Sequence, residues 1–382
     1  MYDIIGDIHG HAAELKSLLT RMDYKETNGV WQHPSRKAIF VGDLIDRGPA
    51  IREVLHIVRN MIDHNQALAV MGNHEYNAIA YAHDLGNGKY LRSHNETHNH
   101  QHRATLEQFT NHQEEWQDWL KWFYTLPLFL DLGELRVVHA CWDQEHIEWL
   151  KQNTNGMLTP SLLVEAHDKN SHAHTVIEET LKGKEINIPE ECAWQDKDGH
   201  FRTSNRIKWW KHPREHTHDA VLFNCPVSLY NQPLPPDITF NVYPADAPPV
   251  FFGHYWLEDK MPAFQSHNVI CLDYSVAKGG SLVAFRQGIG STTPHLPAGL
   301  PAVGMAGRLD PAKAGLGAPP ILGGEWGTGE SFVFNNVRTA DVIHIMINYI
   351  DRRSVCSRVI TLKMSEILTI TFSIAVYIQF LY

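Results

Sequence analysis

Three short apolar runs, residues 2–5, 37–41 and 67–71, alternate with two stretches of helical period, and each run ends at a glycine followed by Asp7, Asp43 or Asn73. The helical stretches are residues 11–22, with Ala13, Leu15, Leu18 and Leu19, and residues 50–64, with Val54, Leu55, Ile57, Val58, Met61 and Ile62. A strand–helix–strand–helix–strand rhythm leads to a mostly parallel sheet covered by helices. In such folds ligands sit beyond the carboxyl ends of the strands, which is where the polar residues concentrate here. The first of these ends reads GDIHG. Side chains two apart on an extended segment point the same way. Asp7 and His9 therefore either grip one object together or form a polar turn, and these five residues alone do not choose.

The pattern continues downstream. Residues 83–112 are rich in Gly, Asn and His, including His94, His98, His100, His102 and His112. Their spacing fits neither a helix face nor a metal finger, so a solvated loop is expected. A helix is predicted near 113–124, and a strand at 135–138 runs into His139. Residues 145–245 are mixed and polar, with Trp194, Trp209 and Trp210, and read as helices and loops that extend the domain or roof a site. Strands at 248–252, ending in Gly253 and His254, and at 268–272 and 281–286 close the ordered part.

After Gln287 the composition turns to Gly, Pro and Ala without period, so 288–330 reads as linker or disorder. Residues 331–382 form a tail of unassigned role. Its apolar end, 367–382, is shorter than the ~20 residues a membrane helix needs. A buried strand or foreign sequence fits that end better than an anchor. The expected division is a domain over 1–287, including the 145–245 extension, followed by linker and tail.

A net charge of −10 argues against a nucleic-acid surface, which needs a basic face. It leaves anionic substrates open, because bound cations reverse the local field. The five cysteines are scattered, without a C-x-x-C pair, and read as reduced thiols. With no basic-then-apolar leader at the start, the expected compartment is the cytoplasm.

Asp7, His9, Asp43, Asn73, His139 and His254 all follow apolar strands, so they converge at one rim if those strands share a sheet. Carboxylates, imidazoles and an amide oxygen suit Mn, Fe, Zn or Ni. The set exceeds the needs of one four-coordinate ion and suits two, with a shared carboxylate holding them ~3.5–4 Å apart.

GDIHG, GDLIDRGP, GNHE, VHA and FFGH, in that order, resemble the signature of the calcineurin-like metallophosphoesterases. Within them the chain is most similar to the phosphoprotein phosphatase superfamily, over about residues 1–286. The resemblance implies a metallophosphoesterase-type α/β fold, a β-sandwich with flanking helices and a dinuclear metal site at the carboxyl ends of the strands. It implies that Asp7, His9 and His254 hold one metal, that Asn73 and His139 hold the other, and that Asp43 bridges them. A metal-bridging hydroxide would attack phosphorus. His74 would protonate the leaving oxygen, Asp46 would set its tautomer, and Arg47, with Asn73, would contact the phosphate. A second phosphate-binding arginine is expected among Arg202, Arg206 and Arg214, with Arg206 preferred. Cys141 and Trp142 read as packing residues, and so do Tyr255 and Trp256, with a nucleobase platform as the alternative for the last two.

The expected cofactors are two divalent ions, manganese first. The expected partner is a phosphorylated protein or a nucleotide, with neither nucleic acid nor membrane. GDLIDRG resembles the serine/threonine phosphatases, while FFGHYWL with CLDYSVAKGGSLVAFR resembles the end of the symmetrical diadenosine tetraphosphatases. A phosphatase-like phosphoesterase is thus the first expectation and a symmetrical dinucleoside tetraphosphate hydrolase the alternative. A non-catalytic binding module would have lost a ligand or His74, and all are present.

Overall fold

The computed structural model describes residues 1–189, 192–195, 201–212, 217–235, 238–258, 262–288, 302–306, 342–351 and 354–363. The chain divides into two units, Met1–Leu316 and Gly317–Tyr382. Among the described residues no helix is long and apolar enough to cross a membrane.

The first unit is built on two mixed sheets, as the expected β-sandwich with flanking helices requires, where the strand–helix alternation alone implies one. One runs in the order Asp273–Tyr274, Ser281–Arg286, Tyr2–Ile5, Lys37–Phe40, Ala67–Ala69. Its three amino-terminal strands are parallel, and Ser281–Arg286 pairs antiparallel to the first of them. The other sheet runs Val269–Cys271, Val250–Phe252, Arg136–Val138, Phe129–Asp131. Its first three strands are parallel and the last is antiparallel. Aromatic contact joins the sheets, with the rings of Phe251 and Phe285 4.8 Å apart. The sequence rhythm breaks off after Ala67–Ala69 because the strands that precede His139 and His254 belong to this second sheet.

Helices α1 (Ala12–Arg21) and α2 (Ile51–Asp63) occupy the predicted places. Their apolar stripes are buried: Leu15, Leu18 and Leu19 on α1, and Val54, Leu55, Val58 and Met61 on α2. Helix α3 (Asn73–Ala82) begins directly at the third strand end.

The expected solvated loop is a correction. Residues 84–90 form a hairpin, and Glu96–Gln108 is a helix, α4. Asn95 caps it, its side chain accepting the His98 N–H at 2.8 Å. The buried face of α4 is made by His102 and Thr105, so no aliphatic stripe reveals it. Helix α5 (Gln113–Phe123) follows as predicted.

The extension contains α6 (Gln144–Thr154), α7 (Pro160–Glu165), α8 (His172–Lys182) and two short strand pairs. At the boundary, the Gln287 amide donates to Tyr2 O at 3.1 Å and Arg36 donates to Gln287 O at 2.7 Å. The same Arg36 forms a buried ion pair with Asp3 at 2.9 Å. Ala302–Ala306, inside the expected linker, pairs antiparallel with Ser281–Arg286. In the second unit Val342–Asp351 pairs with Ser354–Lys363 as a hairpin. The apolar run 367–382 lies outside the described residues.

Candidate metal centre

The carboxyl ends of five strands, three from one sheet and two from the other, meet at a buried polar cluster. Asp43 stands at its middle. Its Oδ1 lies 3.3 Å from His139 Nε2, while its Oδ2 lies 3.5 Å from His9 Nε2. Asn73 Oδ1 is 3.0 Å from His139 Nε2. Ligand atoms of Asp43, His139 and His254 lie within 4.8 Å of one another, as do those of His9, Asp43 and His74. Asp7 Oδ2 accepts the His254 backbone N–H at 3.0 Å, which ties the two sheets together at the site.

The imidazoles are aimed. His9 Nδ1 donates to Ile45 O at 2.9 Å, and His139 Nδ1 donates to Val41 O at 2.7 Å. A carbonyl can only accept, so Nδ1 carries a proton in both rings, and Nε2 is the nitrogen each ring turns to the cluster, the one a neutral imidazole offers to a metal. Asp7 Oδ1, His9 Nε2 and both ring nitrogens of His254 are buried without a hydrogen-bond partner. Each such atom costs roughly 1–3 kcal/mol if left so. Burial, with Asp273 nearby, also pushes the Asp7 carboxyl well above its usual range. Unpartnered buried oxygen and nitrogen donors around one shared carboxylate fit divalent cations.

The backbone is bent to build this cluster. His9, Asp43, Asp46, Arg47 and His254 have φ of 45°, 51°, 66°, 69° and 68°. Positive φ in such residues costs of order 1–3 kcal/mol each and gathers where function over-determines geometry. The glycine before His254 is a steric requirement, since a Cβ on Gly253 would lie 1.8 Å from Asp7 Oδ1.

The first turn of α3 supplies three consecutive site residues. Asn73 faces His139, the His74 N–H donates to Asp43 Oδ1 at 3.0 Å, and Glu75 turns back under the loop. Glu75 accepts from the backbone N–H groups of Gly72, Asp43, Leu44 and Ile45 at 2.8–3.3 Å. His74 Nδ1 contacts Asp46 Oδ2 at 2.5 Å, while His102 Nδ1 contacts Asp46 Oδ1 at 2.7 Å. Burial alone would raise the Asp46 carboxyl, but the His102 and His74 imidazoles hold it far below the usual range. His74 goes the other way: burial opposes its charge, and the carboxylates of Asp43 and Asp46 raise its pKa.

The structure thus brings Asp7, His9, Asp43, Asp46, Asn73, His74, His139 and His254 together. Arg47 is exposed at the rim, its guanidinium 4.6 Å from the Trp256 ring centroid. Arg206 lies beside His254, with Nη1 3.4 Å from the His254 carbonyl. Arg202 is on the exposed pair Phe201–Arg202, and Arg214 lies outside the described residues.

The ring atoms of His254 cluster with Asp43 and His139, while its backbone N–H bonds Asp7. Trp256 is not core: it is half-buried and its ring stacks 5.5 Å from His9, whereas Tyr255 is fully buried. Cys141 is buried, which pushes its thiol well above the usual range and suits packing. Glu75, His102, Thr105 and Asp273 escaped the sequence reading. Glu75 had a signal, three residues after the Gly72 cap in the capping-box position, and His102 had one as part of the histidine-rich stretch.

The calcineurin-like phosphoesterase family profile matches residues 2–255, well over half of the chain. The chain belongs to that family. A relative named bis(5'-nucleosyl)-tetraphosphatase PrpE [asymmetrical], from Oceanobacillus iheyensis, is 34% identical over 140 residues, covering 36% of this chain and 54% of the relative. The protein of the same name from Bacillus subtilis is 35% identical over 144 residues, covering 36% of this chain and 57% of its own. The chain spans about half the length of the curated relatives it matches. A protein serine/threonine phosphatase structure from Saccharomyces cerevisiae aligns at 14% identity over 74% of this chain and 72% of its own. Its TM-score of 0.41 is too low to carry an argument.

Proposed function

We propose that the protein is a phosphoesterase that depends on two divalent metal ions and hydrolyses phosphate esters. The observation that carries this reading is the division of Asp43, whose two carboxylate oxygens face two separate sets of buried donors. Asp7 and His9 would hold one ion, Asn73, His139 and His254 the other, and Asp43 would touch both. Manganese fits these donors, as do iron, zinc and nickel. Bound there, such ions supply Lewis acidity toward a phosphoryl oxygen and make water nucleophilic near neutral pH.

The chain's own residues do the rest. His74, with Nδ1 fixed on Asp46, keeps Nε2 toward the cluster and is placed to protonate the departing oxygen. Arg47 offers the planar fork that suits two oxygens of one phosphoryl group. Arg206, beside His254, is the second candidate for the phosphate. The compartment is proposed as cytoplasmic, which fits the four free cysteines among the described residues.

The phosphatase-like reading rests on Asp46 and Arg47 of GDLIDRGP. A second reading, hydrolysis of a dinucleoside tetraphosphate, is favoured by the names of the relatives, which specify asymmetrical rather than symmetrical cleavage. The deciding experiment compares turnover of a phosphoserine peptide, para-nitrophenyl phosphate and diadenosine tetraphosphate with manganese added. Metal-dependent turnover of at least one supports the phosphoesterase reading, and the best substrate selects between the two. A chain that binds metal and hydrolyses none of them would overturn it.

A further inference from the structure

Resting on the phosphoesterase reading, we infer that Lys278 and Arg47, both seated against Trp256, form a rim that receives a second phosphoryl group beside the one being cleaved. Lys278 thereby selects substrates with consecutive phosphates over monoesters. Arg47 Cζ lies 4.6 Å and Lys278 Nζ 4.0 Å from the Trp256 ring centroid. The same indole stacks against the ring of His9, their centroids 5.5 Å apart. Two cations from distant parts of the chain thus stand on one aromatic side chain that adjoins a candidate ligand.

The platform is bolted in place. The buried Asp273 accepts the Trp256 N–H on Oδ2 at 2.8 Å and the Ser275 N–H on Oδ1 at 3.0 Å. Ser275 Oγ donates to Leu257 O at 3.0 Å, and the Leu257 N–H donates to Asp273 O at 2.9 Å. One carboxylate therefore fixes the segment that carries Trp256 and the turn Val276–Lys278 relative to each other. Trp256 and Ser275 hold φ of 48° and 59°, a region L residues seldom adopt and a bulky ring least of all. The backbone is held there by the Asp273 clamp.

Cations are attracted to an indole face, so Trp256 can seat both charges at the rim. Preorganised positive charge is what a developing or bound anion uses best. Arg47 serves one phosphoryl group as a fork, while the lysine is a compact point charge on a flexible stem, a form suited to a neighbouring phosphate. The indole already carries two cations and an imidazole, so it acts as their support rather than as a platform for a nucleobase. A monoester, with a single phosphoryl group, engages Arg47 and leaves the lysine little to do.

The test compares wild type, Lys278→Gln and Lys278→Arg, all full chain with manganese. Two readouts are used: kcat/KM on para-nitrophenyl phosphate and diadenosine tetraphosphate, and calorimetric Kd values for orthophosphate and pyrophosphate. Loss of one charge-assisted contact is worth roughly tenfold or more. Lys278→Gln should lose about tenfold more on the tetraphosphate than on the monoester, and about tenfold more on pyrophosphate than on orthophosphate. Lys278→Arg should recover most of both. Parallel losses on both members of each pair, or no loss on either, would overturn the assignment. If wild type turns over neither of these nor the phosphoserine peptide, the phosphoesterase reading falls, and the calorimetric comparison alone decides on Lys278.

Discussion

His74 Nδ1 lies 2.5 Å from Asp46 Oδ2, and the other oxygen of that carboxylate is taken by His102 and Thr105. An ionised carboxylate can only accept, so Nδ1 carries the proton and Nε2 is left to face Asp43, 3.9 Å away. Asp46 thus fixes the tautomer of His74 and the direction of its ring at once.

The first prediction concerns this pair. His74→Asn should keep its metals and lower turnover by roughly 10²–10⁴-fold, the range of general acid–base catalysis. The loss should shrink on para-nitrophenyl phosphate, whose leaving group needs no proton. Asp46→Asn should show the same dependence on leaving group. The double variant should be little worse than His74→Asn alone, because residues acting as a unit are not additive. Additive losses, or equal losses on good and poor leaving groups, would remove the proton-donor role.

Asp43→Asn tests the shared carboxylate. The amide keeps the shape but can offer only one oxygen, so one of the two donor sets loses its link. We expect metal content and activity to fall together, read by elemental analysis and turnover of the same preparation. Wild-type metal occupancy in that variant would show that Asp43 is not the bridge.

A third prediction concerns the carboxyl-terminal limit of the domain. Every candidate ligand precedes Gln287, and Gln287 itself is held by Tyr2 and Arg36. A fragment ending at residue 287 should fold with manganese-dependent turnover close to that of the whole chain. Thermal melting and turnover decide the point. A fall in both would mean that the pairing of Ala302–Ala306 with Ser281–Arg286 is part of the fold.

How much of this was legible depended on how each residue does its work. The candidate ligands can be picked out because they follow apolar strands, and strand ends can be read from periodicity. The second sheet is legible only through the motif resemblance, which implies a β-sandwich; periodicity cannot show it, because sheet membership is set by long-range pairing between segments such as 136–138 and 250–252. Helix α4 was missed for a local reason. Its inward face carries His102 and Thr105, which point at Asp46, so the pattern lacked apolar residues where the chemistry needed polar ones. Trp256 sits outside the core that an aromatic residue suggests by default, its backbone held by Asp273 and its ring against Arg47 and Lys278.

Glu75 yields the last prediction. Its Oε2 accepts the Asp43 and Gly72 N–H groups, both at 2.9 Å, and its Oε1 accepts those of Leu44 and Ile45 at 2.8 and 3.3 Å. The side chain is fully buried, so water cannot replace these contacts. It ties the start of α3 to the loop of Asp43 and thereby sets the distance from Asn73 to Asp43. In Glu75→Gln one oxygen becomes an amino group and faces two N–H donors with a donor of its own. Two buried N–H groups then lose their acceptor, which costs about 2–6 kcal/mol in all at the usual penalty per group. We expect a clear fall in melting temperature, together with weaker metal retention in a chelator competition, since the Asp43 loop is released. The chemistry of bound substrate should change less than in His74→Asn, because Glu75 touches neither substrate nor leaving group. A variant with wild-type melting and wild-type metal retention would show that the loop is held by something other than Glu75.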